Sequence, residues 1–302
     1  MSAFTTSDGV PLHVAEAGSG PVTLVLVHGW TMDHTSWDPV VDDLLADDPV
    51  DHPVGVRVVR FDLRGHGRSG AAPQGSATID RLADDLAELV AARTTGPVVL
   101  GGHSLGGMTL MALAERHPRL IAERVSGVAF VATTSGGLSR LTLGLPRWVA
   151  APVLYLEKLV NKRIARFRRP ALLGRFSGFA RPGVRWLVFG RDPVAAHIAA
   201  TAAQVGRCNP ANMVGFRSSL NEHERVHALS AYQGVPAVVM AGELDRLCPV
   251  PDSRIIAGRL PDADLLVYPG AGHMLNYERS SEVVAQLSTL VARAAVPTLA
   301  TA

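Results

Sequence analysis

Hydrophobic and polar positions follow two alternating regimes over residues 1–134. Val22-Thr-Leu-Val-Leu-Val27 is a continuous, mostly β-branched run that stops at His28-Gly29. Val56 to Phe61 is a second strand-like run, stopping at Asp62-Leu-Arg-Gly65. Between them, Trp37 to Leu45 carries apolar residues at helical spacing. Ile79 to Ala92 does so more clearly, with Ile79, Leu82, Leu86, Leu89 and Val90 on one stripe. Pro97 to Gly101 reads as a third strand and Ser126 to Ala132 as a fourth. A helix starts near Leu105, and Pro118 is expected to stop it. Strands that are apolar without alternation are covered on both faces, which predicts a parallel sheet flanked by helices.

The alternation then lapses. From Ser135 to Tyr232 the chain is helical in pattern, basic and punctuated by proline. It resumes with a strand at Pro236 to Ala241, a helix around Ser253 to Arg259, a strand at Asp264 to Tyr268 and a helix near Ser281 to Arg293. The reading is an α/β core formed by 1–134 and 233–302, with 135–232 inserted as a helical cap. Charge supports the division. Residues 135–215 hold 13 Lys+Arg and only two acids, Glu157 and Asp192. Of 29 basic and 27 acidic residues in total, 16 and 25 are left for the rest, so a net charge of +2 conceals two oppositely charged parts.

Composition narrows the class. A chain of 302 residues with 47% hydrophobic content can bury a full core, which excludes overall disorder. Near-neutral net charge gives no reason to expect nucleic-acid binding. Cys208 and Cys248 are too few for a disulfide framework and match no zinc module. Met1 to Val10 lacks the basic and apolar regions of a secretory signal, and no apolar run approaches the roughly 20 residues of a membrane span. A soluble, cytoplasmic enzyme is expected, without metal or cofactor, since no metal cluster, Walker loop or dinucleotide fingerprint is present.

The chemistry concentrates at Gly102-His-Ser-Leu-Gly106, a G-x-S-x-G placed directly after a strand and before a helix, as a nucleophile elbow requires. Ser104 would sit on a strained turn at a helix N-terminus, where developing negative charge is favoured. A serine hydroxyl needs a base. Of 11 histidines, His273 stands in Pro269-Gly-Ala-Gly-His273, a glycine-rich loop after the last strand, and can swing over the elbow. His13, His34, His52 and His117 are expected at the surface, and His103 packed against the turn. His197, His223 and His227 read as structural. The imidazole needs an acid to fix its tautomer. Asp245, after the Ala237–Ala241 strand, is the first choice and Glu243 the runner-up, while Val128 to Leu138 offers no carboxylate. The oxyanion would be met by the backbone N–H of Leu105 and of Trp30 in His28-Gly29-Trp30, with His28 bracing that loop.

These motifs, His28-Gly-Trp30, Asp62-Leu-Arg-Gly-His-Gly-Arg-Ser69, Gly102-His-Ser-Leu-Gly106, Gly242-Glu-Leu-Asp245 and Gly270-Ala-Gly-His273, occur in the order typical of the α/β-hydrolase family. The chain resembles its esterase- and lipase-like members with a helical cap, and the likeness covers nearly everything outside the cap. The resemblance implies an eight-stranded, mostly parallel sheet and hydrolysis through an acyl-serine. It also implies that Asp62 and Arg64 bond backbone near the site. Epoxide hydrolases and haloalkane dehalogenases are similar but carry aspartate at the elbow, whereas Ser104 points to acyl transfer. Cofactor-free haloperoxidase-like members share the serine arrangement.

Val153 to Phe167 is amphipathic: Val153, Leu156, Leu159, Val160, Ile164 and Phe167 share a face, with basic residues elsewhere. Its apolar side is expected to cover the pocket as a lid. Trp148, Leu154, Phe176, Phe179, Trp186 and Phe189 are candidates to line an acyl site. The basic charge suits an anionic lipid surface, a carrier protein or coenzyme A. The expected function is hydrolysis of a moderately hydrophobic carboxylic ester. The alternatives are a thioesterase or acyltransferase acting on carrier- or coenzyme A-bound acyl groups, and a non-hydrolytic lyase, cyclase or ligand receptor.

Overall fold

The computed structural model describes residues 2–46 and 55–296, apart from 147, 150, 153, 154, 157, 158, 160–162 and 164–176. Eight strands form one sheet: β1 (Ser2–Thr5), β2 (Pro11–Gly18), β3 (Val22–Val27), β4 (Val56–Phe61), β5 (Val98–His103), β6 (Val125–Val131), β7 (Ala237–Gly242) and β8 (Asp264–Tyr268). Their order is β1-β2-β4-β3-β5-β6-β7-β8. β1 pairs with β2, and β2 with β4, antiparallel; every other neighbour is parallel. All six residues of β3, of β5 and of β7 are buried, as expected for strands covered on both sides.

Helices α1 (Asp38–Ala46) and α10 (Ser280–Ala295) cover one face of the sheet. There Trp37, Val40, Leu44, Leu287 and Val291 pack with Leu24, Val58 and Val131. Helices α2 (Ile79–Arg93) and α3 (Leu105–Arg116) cover the other, where Leu82, Leu86, Leu110 and Leu113 meet Val25, Val59, Leu100 and Phe130. Each large apolar side chain so buried contributes roughly 1.5–3 kcal/mol. Thr78 caps α2 by accepting the Arg81 N–H at 3.2 Å. Pro118 does not merely stop α3. It opens α4 (Pro118–Arg124) at the first helical position, where a missing N–H costs nothing.

Between β6 and β7 the chain forms α5 (Ser177–Val188), α6 (Ala195–Arg207) and α7 (Pro210–Glu222). Asn209 caps α7 through the N–H groups of Ala211 and Asn212, and Phe216 and Leu220 of α7 join the core beneath α2. After β7 come α8 (Val250–Ala257) and, following β8, the short α9 (Leu275–Glu278). The carboxyl ends of β3, β4, β5, β7 and β8 open towards one side, where ligands of such sheets bind.

Candidate active site

Ser104 lies between β5 and α3 at φ +53°, ψ −116°. A non-glycine residue held in this region stores roughly 1–3 kcal/mol of strain. Its surroundings explain how the turn is tolerated. A Cβ on Gly106 would lie 2.2 Å from the carbonyl oxygen of Val27, so only glycine lets α3 start this close to β3. Ser104 N–H donates to the Val131 carbonyl (3.0 Å), and Thr133 Oγ1 donates to the Ser104 carbonyl (2.7 Å). Leu105 opens α3, so its N–H is among those an α-helix leaves unpaired within itself.

The loop after β3 passes directly against this turn. A Cβ on Gly29 would stand 2.9 Å from His103 Nδ1 and 3.3 Å from Ser104 Cβ, which places the Gly29–Trp30 backbone beside the elbow. His28 braces that loop, as expected. Its Nε2 accepts the Leu63 N–H (2.9 Å), so the proton is on Nδ1, which donates to the Gly29 carbonyl (2.8 Å). Complete burial lowers the His28 pKa and keeps the ring neutral. The Trp30 indole N–H donates to the Met213 carbonyl in α7 at 3.2 Å.

His273 and Asp245 meet across the carboxyl ends of β8 and β7. His273 Nδ1–H donates to Asp245 Oδ2 at 2.7 Å, with side-chain exposures of 4% and 0%. The other carboxylate oxygen accepts the N–H groups of Leu247 (2.8 Å) and Cys248 (2.9 Å). Both oxygens are thus committed, the ring is fixed, and Nε2 is left with its lone pair. Glu243, the runner-up acid, instead accepts the Gly270 N–H (2.8 Å) and steadies the histidine loop.

Two braces on His273 were not legible in the sequence. His103 Nε2–H donates to the His273 carbonyl at 2.9 Å, and the two rings lie 4.9 Å apart. Burial, then the proximity of His273, pushes the His103 pKa down to about 3, so it stays a neutral donor. Among the described residues, His103 rather than a Ser104–His273 hydrogen bond joins the elbow to the histidine loop. The second brace is Glu278, which accepts the N–H groups of Gly272 (3.0 Å) and Gly190 (2.7 Å) and so ties the histidine loop to the end of α5. His273 N–H donates to the Val188 carbonyl (2.9 Å) at the same junction.

Several expectations are corrected here. His34 is buried rather than superficial: its Nδ1–H and backbone N–H both donate to Asp62 Oδ1 (2.7 and 2.8 Å). Asp62 also accepts the Arg68 N–H (2.7 Å). Burial opposes ionisation of Asp62, but the hydrogen bonds from His34 and Arg68 outweigh it and hold the carboxyl well below the usual range. His13 packs against His34 with ring centroids 4.9 Å apart. Among the described residues the Arg64 guanidinium bonds no backbone; it is fully buried and grips Asp85 and Asp8. Of the residues proposed to line an acyl site, Trp148 and Trp186 are 80% and 42% exposed, while Phe189 is buried with Met32, Met274 and Tyr277. Leu154, Phe176 and the side chain of Phe179 lie outside the described residues, as do His52 and residues 297–302.

Two clusters of metal-ligating types occur among the described residues: His13, His34 and Asp62, and Asp245, Cys248 and His273. In both, the carboxylate is already engaged by histidine and backbone N–H groups, and burial pushes the Cys248 thiol well up. Both work as hydrogen-bond clusters. Beside Asp245 opens a cleft of about 810 Å³, bordered by Ser135, Leu138, Leu143, Glu224 and Arg246. Among the described residues, no helix is long and apolar enough to cross a membrane.

Comparison with known proteins agrees with this architecture. The chain is 28% identical over 296 residues to a non-heme haloperoxidase of Rhodococcus erythropolis, covering 96% of this chain and 99% of that one. It is 27% identical over 276 residues to a bifunctional esterase/perhydrolase of Acinetobacter calcoaceticus, covering 90% and 93%. A thermophilic esterase structure from Thermogutta terrifontis superposes with a TM-score of 0.73 at 24% identity, covering 97% and 98%, a likeness of fold. Residues 22–280 match the alpha/beta hydrolase fold family. With that match spanning most of the chain, the protein belongs to the α/β-hydrolase family.

Proposed function

We propose that the protein is a carboxylic-ester hydrolase working through an acyl-serine, with Ser104 as nucleophile, His273 as base and Asp245 as the acid that orients it. The observation that carries this reading is the buried 2.7 Å bond between His273 Nδ1 and Asp245 Oδ2, on loops adjoining the strained Ser104 turn. Ser104 Oγ attacks the ester carbonyl carbon while His273 Nε2 takes its proton. The imidazolium so formed is stabilised by Asp245, whose other oxygen is already bonded to backbone. The tetrahedral oxyanion faces the N–H groups of Leu105 and Trp30. His273 returns the proton to the departing alcohol, then deprotonates a water that attacks the acyl carbon, releasing the acid and restoring Ser104.

Residues 135–232 act in this reading as a cap over the strand ends, joined to the base through Glu278 and Gly190. The similarity to an esterase/perhydrolase supports ester substrates over thioesters. The test is labelling by a fluorophosphonate probe, with p-nitrophenyl esters of increasing chain length run beside acyl-thioesters. Wild type is expected to label at Ser104 and turn over the esters faster, and Ser104→Ala to do neither. A wild-type protein that stays unlabelled and inert refutes the acyl-serine, and faster thioester turnover refutes the substrate class.

A further inference from the structure

The loop after β3 takes a strained course. Met32 N–H donates to the Gly29 carbonyl (3.1 Å), closing a turn over Trp30 and Thr31. Thr31 stands at φ +65° while Trp30 does not share that sign, which makes the turn type II. Glycine is the usual residue at that third position, and a β-branched side chain rarely adopts it. The turn also sets a direction. His28 Nδ1–H donates to the same Gly29 carbonyl (2.8 Å). Across a planar trans peptide the N–H points away from the carbonyl, so two donors on the Gly29 oxygen aim the Trp30 N–H the opposite way. Strain of this kind persists only where the surroundings over-determine it.

Helix α6 supplies much of that hold. Gln204 and Arg207 are three residues apart on it, and so on one face. Arg207 Nε and Nη2 both donate to Asp33 Oδ2 (3.0 and 2.5 Å). The other carboxylate oxygen accepts the Thr35 N–H (3.1 Å) and the Thr35 hydroxyl. Gln204 Nε2 in turn donates to Thr35 Oγ1 (3.1 Å). The chain of bonds therefore starts and ends on α6 and closes around Asp33, three residues from Trp30. Asp33 and Gln204 are 3% and 2% exposed, which keeps water from competing for these groups. Gln204 Nε2 also donates to the Tyr277 hydroxyl (2.9 Å) in α9, four residues beyond His273. One buried amide thus spans the loop after β3 and the helix that follows the base.

We propose that Gln204 and Arg207 are positioning residues for the oxyanion: they hold the 29–35 loop in the strained course that presents the Trp30 N–H beside Ser104. They act through Thr35 and Asp33, and the donor itself is backbone. The inference rests on the acyl-serine reading with Trp30 as an oxyanion donor.

The test compares wild type with Gln204→Met, Arg207→Met and the double variant, since methionine keeps most of the apolar bulk and deletes the donors. Circular dichroism and thermal melts check the fold. The Arg207 side chain is 47% exposed, so Arg207→Met alone carries every measurement should the double variant not fold. On a soluble p-nitrophenyl ester, kcat is expected to fall about tenfold in each single variant and about 10²-fold in the double, with KM changed less than about twofold. Inhibition by a trifluoromethyl ketone, which Ser104 converts into an anionic hemiketal, should weaken by the same factors. Thr31→Gly takes positive φ without strain and should restore part of the kcat lost by the double variant. Hydrogen–deuterium exchange over 29–35 should quicken in the double variant, a readout that needs no turnover. Wild-type kcat in the double variant overturns the proposal, as does a loss confined to KM or a fall in kcat with undiminished ketone binding. So do unchanged exchange over 29–35 and a Thr31→Gly replacement that restores nothing. An inert, unlabelled wild type whose exchange still quickens on substitution counts against the acyl-serine alone.

Discussion

His103 is the most informative place to perturb the site. It neither attacks nor transfers a proton in the proposed reaction, yet its Nε2–H holds the carbonyl of His273 at 2.9 Å. His103→Leu keeps an apolar side chain of comparable bulk in a site only 1% exposed and deletes that donor. The His273 carbonyl is then left without this partner in a buried loop, a penalty of about 1–3 kcal/mol. If the loop moves to relieve it, the imidazole moves too. At 1.36 kcal/mol per tenfold, the expected loss in kcat/KM is about 10–100-fold, carried by kcat because ground-state binding is untouched. His103→Gln can place an amide N–H near the same carbonyl and should recover a large part of the rate. Steady-state kinetics on a p-nitrophenyl ester, beside thermal melts of all three proteins, make the measurement. A His103→Leu enzyme with wild-type kcat, or a His103→Gln enzyme no better than His103→Leu, refutes the positioning role.

Three other outcomes are expected. Glu278→Gln replaces a two-oxygen acceptor by one oxygen and an NH2 that faces a backbone N–H, so kcat should fall about tenfold with KM little changed; an unaltered kcat would show that the α5 junction does not position the base. Gly29→Ala brings a methyl group 2.9 Å from His103 Nδ1, forcing the Trp30 N–H away from the elbow; a 10²–10³-fold fall in kcat is expected for a lost oxyanion donor, and normal turnover would remove Trp30 from that role. The third concerns acid. His28, His66, His103 and His223 are all buried, and burial lowers each pKa, to about 3 for His66 and His103 and about 4 for His223. The unfolded chain takes up these protons below its ordinary pKa of 6.5 while the folded chain resists, so stability falls as pH drops from 6.5 towards 4. Each histidine contributes up to about 1.4 kcal/mol per pH unit in that window. Urea melts that show constant stability from pH 7 to pH 4.5 would contradict the neutral assignment.

How much of this was legible in the sequence follows from where each interaction lies along the chain. Strands β3, β5, β6 and β7 announce themselves by nearly continuous apolar runs buried on both faces, and β4 and β8 by shorter apolar runs; the residues with chemistry follow at their ends: His28 after β3, Ser104 after β5, Asp245 after β7, His273 after β8. Order and proximity to strand ends suffice for such residues because the sheet brings those ends together. β1 and β2 escaped notice for the opposite reason. They form the antiparallel margin, where Ser2, Ala3 and Glu16 are exposed and no long apolar run develops. Pro118 reads as a stop in any local scheme, and only the adjoining turn reveals it as a start. Leu156 and Leu159, expected to cover the pocket, are instead 60% and 43% exposed, since a wide hydrophobic arc does not say which edge meets the protein. The remaining residues assigned to that lid face, Val153, Val160, Ile164 and Phe167, lie outside the described residues.

The braces are hidden for a deeper reason. His103 lies 170 residues from the carbonyl it holds, and Glu278 lies 88 residues from Gly190. Attack on an ester demands a particular residue type at a particular turn, but any side chain that can donate or accept will serve to hold a loop once the fold has brought it within reach. A nucleophile therefore leaves a motif, whereas a brace leaves only a distance. In this protein both braces converge on one backbone, that of Gly272 and His273: the elbow through His103 and the end of α5 through Glu278. In the proposed reaction the base is thus steadied both from the elbow and from the end of α5. Displacing α5 from the core would remove the Val188 and Gly190 contacts that hold this loop, so the placement of the imidazole depends on α5 staying docked.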